Sequence, residues 1–309
     1  MNLISFADFL TRLNEEESLA IYSEVPFPNF AYEKLLGLFH TYCLIGGIPD
    51  IVETYSLKRD LKVLKPVYER YLDGLFSRAG ELAHTSVTRE RIRIIYQDSF
   101  AYAAMRITFR GFSRQDHRSR DTAKVFRLLE SAGLLKLIYP VTHASLPWKV
   151  DYSRAPRLHL PDTGLVNYFT GIQRPLTGLS DLSSVFNRQI ALHITAQVLL
   201  YSERREDHPV HFWVRSKTQS TAEVDFVIGY EDLMIPVEVK SGEPGRLRSL
   251  HQFVDSAPHP FAVRLYAGPL YVKETKTMRG KKYFLMSLPY FLSGKIREHL
   301  EGFIKFVSW

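Results

Sequence analysis

The sequence predicts a mixed protein, helical through about residue 172 and α/β from there to the end. Three observations predict this. In the first part, apolar residues recur three and four apart, as in YEKLLGLFHTYCLIGG, the spacing of a helix buried along one side. A Gly-, Pro- and Ser-rich stretch, QRPLTGLSDLSS (173–184), then interrupts the pattern. Beyond it, short runs with period two replace helical spacing, most clearly in TAEVDFVIGYEDLMIPVEVKSG (221–242).

Taken in order, residues 1–55 read as helices broken at PFPN (26–29), with Gly46-Gly47 as a helix stop. Residues 57–103 continue helical, and Thr88 is the expected N-cap of VTRERIRIIYQDSFAYAA. Ser119 or Asp121 caps a helix through TAKVFRLLESAG, with Val125, Leu128, Leu129 and Ala132 as its apolar face and Gly133 as its end. LLKLIYP reads as a strand, and RLHLPDTGL as a second strand turning into a helix capped by Asp162 or Thr163. Helix, helix, strand, loop, strand is the order of a winged helix, whose second helix usually faces nucleic acid. After the boundary the expectation is a helix over about 185–202 and strands near 210–216, 222–229 and 233–240. A helix near 245–256, strands near 261–267 and 283–287 and a helical C-terminal end follow.

Composition narrows the function classes. The 309 residues carry a net charge of +7, and a basic balance favours polyanionic partners. From Arg106 to Arg127 there are seven Arg or Lys against two Asp. Arg114, Arg118, Arg120, Lys124 and Arg127 lie on or just before the second helix of the winged-helix order and are the candidate nucleic-acid contacts, DNA being the expected partner. The other reading of this patch is a solvated face. No apolar run approaches the roughly 20 residues that span a bilayer, and the N-terminus turns acidic too soon for a signal peptide. With one cysteine, Cys43, neither an internal disulfide nor a cysteine-rich zinc site forms. A soluble cytoplasmic protein, without a membrane partner, is the expectation. The eleven histidines show no ligand spacing and are expected mostly at the surface.

In the 221–242 hairpin, alternation sets Val224, Phe226 and Ile228 on one face with Ile235, Val237 and Val239. Glu223, Asp225, Glu238 and Lys240 then share the other. With Glu231-Asp232 as a two-residue turn, Asp225 stands opposite Glu238. Two readings stay open. One is a salt-bridged polar face toward solvent. The other is a centre for Mg²⁺ or Mn²⁺, with Asp225, Glu238 and the Val239 carbonyl as ligands and Lys240 assisting a water or the transition-state charge.

Asp225, twelve residues, then Glu238-Val239-Lys240 resembles the PD-(D/E)xK nuclease motif. TYCLIGGIPDIV (41–52), LLESAGLLKLIYP (128–140), LHLPDTGLVNYF (158–169), AEVDFVI (222–228) and IPVEVKSG (235–242) stand around it in this order. Together they resemble the C-terminal region of a family of prokaryotic AAA-type ATP-binding proteins, in which a P-loop ATPase module precedes a winged helix and a PD-(D/E)xK-like domain. The resemblance runs from ISFADFL at residue 4 to SLPYFL near residue 290. It implies three parts: residues 1–55, helical and similar to the end of the ATPase module; 56–172, helical with the winged helix; and 173–309, the α/β nuclease-like domain. An ATPase partner or self-association belongs to a separate reading, in which the two domains act as a scaffold. Two departures accompany the resemblance. No G-x-x-x-x-G-K-[ST] occurs, so no ATP site is expected. Family members carry a glutamate after a phenylalanine before the motif, where this chain has Phe186-Asn187. Asn187 is thus a substituted third acid, and it offers a metal no negative charge. The expectation is a nucleic-acid-associated protein whose nuclease-like centre is one acid short. An active Mg²⁺-dependent DNA endonuclease and a non-catalytic interaction module are the alternatives.

Overall fold

The computed structural model describes residues 2–112, 119–173, 188–201, 209–216, 221–240 and 247–307. Its first part is helical: α1 (Phe6–Arg12), α2 (Glu16–Ser23), α3 (Tyr32–Ile45), α4 (Pro49–Lys58), α5 (Lys65–Glu81), α6 (Ser86–Ser99) and α7 (Ser119–Ser131). The short strands β1 (Lys136–Ile138), β2 (Pro140–Val141) and β3 (Arg157–His159) and helix α8 (Thr163–Phe169) follow. The rest is α9 (Arg188–Tyr201), β4 (Val210–Val214), β5 (Glu223–Tyr230), β6 (Leu233–Lys240), α10 (Arg248–Ser256), β7 (Phe261–Tyr266), β8 (Tyr271–Lys276), β9 (Lys282–Pro289) and α11 (Ile296–Val307). A helical region followed by a mixed sheet with helices is the architecture expected. Among the described residues no helix is long and apolar enough to cross a membrane.

β1 and β3 form an antiparallel pair, and the other seven strands make one sheet in the order β2-β4-β5-β6-β7-β9-β8. β5 is antiparallel to both β4 and β6, whereas β7 joins β6 in parallel through the crossover helix α10. Both faces of the sheet are covered. Phe226, Ile235, Val237, Val263 and Leu265 pack with α9, α11 and the helical region in the larger apolar cluster. Trp213, Val227, Met234 and Ala262 pack with Leu250, Phe253 and Val254 of α10 in a second. Two-sided burial is why the middle strands read as nearly continuous apolar runs.

One junction explains two of the quoted sequence stretches at once. Helix α3 ends at Gly46, whose φ of +82° suits glycine. Its last carbonyls find side-chain donors on α5, on α8 and on the turn after α8. Asn167 Nδ2 donates to Cys43 (2.9 Å), Gln173 Nε2 to Leu44 (2.8 Å) and the Tyr68 hydroxyl to Ile45 (2.8 Å). The next amide, Gly47 N, donates to the buried carboxylate of Asp162 at 2.7 Å. The other oxygen of Asp162 accepts from Leu165 N at 2.9 Å and so caps α8. A Cβ on Gly46 would collide with the Asp162 carboxylate, and one on Gly164 with the Ile45 carbonyl. IGG and PDTG are therefore two halves of one close approach between α3 and α8.

Several local expectations are corrected. Helix α6 is capped by Thr85, whose hydroxyl accepts from Thr88 N, so Thr88 is the receiver of the cap and lies inside the helix. Asp121 lies in the first turn of α7 and does not precede it, while the residues just before Ser119 lie outside the described residues. Phe126 joins Val125 and Leu129 in its buried face, while Leu128 and Ala132 are only partly covered. Strand β8 was not expected. It is an edge strand whose YVKETK carries charge on an exposed surface, so no buried face imposes alternation. The tail from Ser287 is strand to Pro289, then a 3₁₀ turn over Tyr290–Lys295, and helical only from Ile296. His40, His159, His193, His259 and His299 are buried, contrary to the surface expectation. His193 shows how one is accommodated: Nε2 accepts from Leu160 N, so Nδ1 carries the proton toward Thr163 Oγ1, which donates to Gln197 Oε1. Burial pushes the His193 pKa down to about 4, which keeps this neutral form.

Candidate functional site

The β5–β6 hairpin has the expected register. Tyr230 pairs with Leu233 and Phe226 with Val237 around a turn at Glu231-Asp232, where Glu231 has a φ of +48°. The pairing ends at Phe226–Val237, and Asp225 and Glu238 are the next residues on the two strands. The expectation for faces is corrected. Against β4, the register slips between the pairs His211–Val227 and Trp213–Val224, so Asp225 and Phe226 together oppose Phe212. This bulge shifts the side-chain phase of β5 by one residue. Val224 therefore packs with Val227 and Met234 beneath α10, while Phe226 and Ile228 lie in the larger cluster. Glu223 leaves the other charges as well. It pairs with the buried Arg157 of β3, and with Arg106 at 3.3 Å. The Arg157 guanidinium lies 4.7 Å from the Phe212 ring centroid and 5.5 Å from that of Phe226.

Asp225, Glu238, Val239 and Lys240 are brought together, and they are not a solvent face. Asp225 is 1% exposed and Glu238 5%. Asp225 Oδ1 accepts from Arg188 Nη2 at 2.6 Å and Oδ2 from Val239 N at 2.8 Å. Arg188, the first residue of α9, also donates through Nη1 to the Val239 carbonyl at 3.0 Å. Glu238 Oε1 accepts from Lys240 Nζ at 2.7 Å, and Glu238 Oε2 is buried with no hydrogen-bond partner among the described residues. Lys240 is fixed at its backbone, whose carbonyl accepts from the Tyr290 hydroxyl.

Burial raises the pKa of Asp225, and the charges of Arg157 and Arg188 oppose the rise. Glu238 is pushed up to about 7, first by burial and then by the charge of Asp225, with the Lys240 ammonium pulling the other way. The centre thus holds one carboxylate with a donor on each oxygen and a second that titrates near neutrality.

For a divalent ion the donors are poorly arranged. Mg²⁺ takes six oxygens close to about 2.1 Å in octahedral geometry. Of the three expected ligands, the Val239 carbonyl and one Asp225 oxygen are held by Arg188, and the second Asp225 oxygen is held by Val239 N. Glu238 Oε2 has no donor among the described residues. Among the described residues no three His, Cys, Asp or Glu side chains cluster to hold a metal. With Arg188 in place the residues do not fit Mg²⁺ or Mn²⁺.

Of the basic candidates, Arg120, Lys124 and Arg127 are exposed on α7, four and three residues apart along one face, with Val125, Phe126 and Leu129 buried on the other. Arg114, Arg118 and Asn187 lie outside the described residues. Sequence reasoning missed Arg188 and Arg157. The available signal for Arg188 was its position immediately after Phe186-Asn187, where the resemblance looks for the third acid; Arg157 carries none.

No curated protein and no solved structure matches the chain. Residues 36–176 match the model of a domain of unknown function (DUF8612). Residues 193–291, which include β5, β6 and the carboxylate centre, match that of another domain of unknown function (DUF4143), one found in the C-terminal region of AAA-ATPase-associated proteins.

Proposed function

We propose that this protein associates with nucleic acid through α7 and that its sheet carries a nuclease-like centre that does not cleave. The observation that carries the reading is the exposed basic face of Arg120, Lys124 and Arg127, on a helix followed by the β1–β3 pair. That is the order in which a winged helix offers its second helix to a duplex. Supporting the nuclease-like half are the order α9, β4, β5, β6, α10, β7 and the carboxylates where β5 and β6 part. Against cleavage stand the donor-saturated Asp225 and the asparagine at position 187.

Fluorescence anisotropy of labelled duplex DNA across a salt series tests this. Each lost phosphate contact lowers the slope of log affinity against log salt by about 0.9. A Lys124→Glu/Arg127→Glu protein should therefore lose about two units of slope while staying folded. An unchanged slope removes α7 from the account. Metal-dependent nicking by the wild type, abolished in Asp225→Ala and Lys240→Ala, would establish an active endonuclease instead.

The match over 193–291 favours a second reading, in which the chain docks on an ATPase partner or on itself. DNA binding that is weak and insensitive to salt, together with a concentration-dependent mass in solution, would support that one.

A further inference from the structure

We infer that the guanidinium of Arg188 is a resident cation standing in the ion position of the Asp225–Glu238 centre, so that the wild-type centre excludes divalent metal and loss of that guanidinium creates a metal site. The inference rests on the nuclease-like reading of the sheet, and DNA association plays no part in it.

The geometry of the fork carries the argument. Nη2 takes Asp225 Oδ1 at 2.6 Å and Nη1 takes the Val239 carbonyl at 3.0 Å. One planar group thus satisfies a carboxylate from β5 and a backbone oxygen from β6, the bridging that an ion would perform between them. The side chain of Arg188 is 51% exposed while that of Asp225 is 1% exposed. Little burial holds Arg188 where it is, so these two hydrogen bonds fix it. Charge makes the same point. Asp225 and Glu238 are balanced by Arg188 and Lys240, so the centre is neutral when all four are ionised. A divalent ion added to that set would leave two uncompensated positive charges beside buried groups, which is strongly unfavourable.

Taking the guanidinium away reverses both terms. Asp225 Oδ1 and the Val239 carbonyl lose their donor and join Glu238 Oε2, which already lacks one. Three oxygens with a net negative charge are the donor set a hard cation takes, with water completing the shell.

The test is Mn²⁺ titration of DNA-free protein, read by the electron paramagnetic resonance signal of free Mn²⁺. Wild type, Arg188→Ala, Arg188→Lys, Asp225→Asn and Arg188→Ala/Asp225→Asn are compared, with far-UV circular dichroism to confirm folding. Arg188→Ala should bind one Mn²⁺ at least about tenfold more tightly than wild type, a difference of about 1.4 kcal/mol. The added Asp225→Asn should abolish the gain, and Arg188→Lys should stay metal-free. A folded Arg188→Ala that gains no site, or a wild type that already binds one Mn²⁺ and loses it in Asp225→Asn, overturns the inference. Should Arg188→Ala fail to fold, the wild type decides alone: one tightly bound Mn²⁺ rejects the resident cation and none upholds it. DNA binding can fail in every one of these proteins without changing the outcome.

Discussion

Asp162 and Asp225 are the same residue type at nearly the same burial, 0% and 1% exposed, yet they are held in different ways. Asp162 gives each oxygen to a backbone N–H, from Gly47 and from Leu165, and lies between two helices whose approach requires glycine. Asp225 gives one oxygen to the backbone and the other to a half-exposed arginine, beside a second carboxylate with an orphaned oxygen. Backbone donors cannot leave without unfolding something. A side-chain cation can be exchanged, displaced or mutated. The difference separates a carboxylate that builds the fold from one that belongs to a site.

The largest expected effect lies at the first of these. Asp162→Ala leaves the amides of Gly47 and Leu165 buried without acceptors and removes the cap of α8. The expected loss is about 4 kcal/mol, from two unsatisfied donors at about 1–3 kcal/mol each. Equilibrium urea unfolding measures it. A loss below about 1 kcal/mol would mean that α3 and α8 do not depend on this carboxylate, and the comparison would fail at its firmer end.

Next comes Arg157, which anchors the opposite side of the Asp225 strand. It pairs with Glu223, donates to the Asp225 carbonyl at 2.7 Å and lies against two aromatic rings. Arg157→Ala should cost about 3 kcal/mol, the range for breaking a buried pair and leaving its partner behind. The double variant with Glu223→Gln should recover part of that loss in the same unfolding experiment. Without recovery, the packing on Phe212 and Phe226 matters more than the ion pair.

These two arginines mark where the sequence stopped being legible. The helical first part, the sheet, the hairpin register and the grouping of Asp225, Glu238 and Lys240 could be read locally, because helix spacing and strand alternation are local patterns. The bulge could not. Val224 has the alternation of Phe226 and Ile228, and only pairing with β4 shows that one residue is extra there. Arg157 and Arg188 reach Asp225 from 68 and 37 residues away. In a chain with 40 basic residues, an arginine bears no local mark of being buried against a ring or inserted between carboxylates. The pairing of IGG with PDTG was hidden for the same reason. Each half reads as an ordinary helix end, and the contact joins positions 115 residues apart.

A smaller effect belongs to pH. Glu238 is raised from an ordinary 4.5 to about 7 in the folded protein. A raised carboxyl contributes stability that is complete below the unfolded value and is lost as pH rises through the folded one. The wild type should lose stability from this group as pH rises between about pH 4.5 and about pH 8. Asp162, raised to about 6, adds a loss over the lower part of that window. Glu238→Gln should remove the Glu238 contribution over its whole window and leave that of Asp162, which is spent once pH has passed about 6. The difference between the two stability profiles therefore isolates the centre from the junction. Parallel profiles would mean that Glu238 titrates normally and that its unpartnered oxygen is solvated.

The smallest expected effect is the sharpest probe of the comparison. Arg188→Lys keeps the positive charge beside Asp225 but gives up the planar fork, so one of the two bonds, to Oδ1 or to the Val239 carbonyl, is lost. The Arg188 side chain is half-exposed, so water can take the place of the lost donor, and the cost should be about 1 kcal/mol, one net hydrogen bond. Asp162→Asn is the matching conservative change at the junction. It points an amide N–H₂ at a backbone N–H with no room for water and no open side, and it should cost nearly as much as alanine. Measured side by side by urea unfolding, a small loss in the first and a large one in the second follow directly from side-chain against backbone donors. Equal losses would mean that α9 cannot move relative to β6, and that Arg188 is as much a part of the fold as Gly47 is.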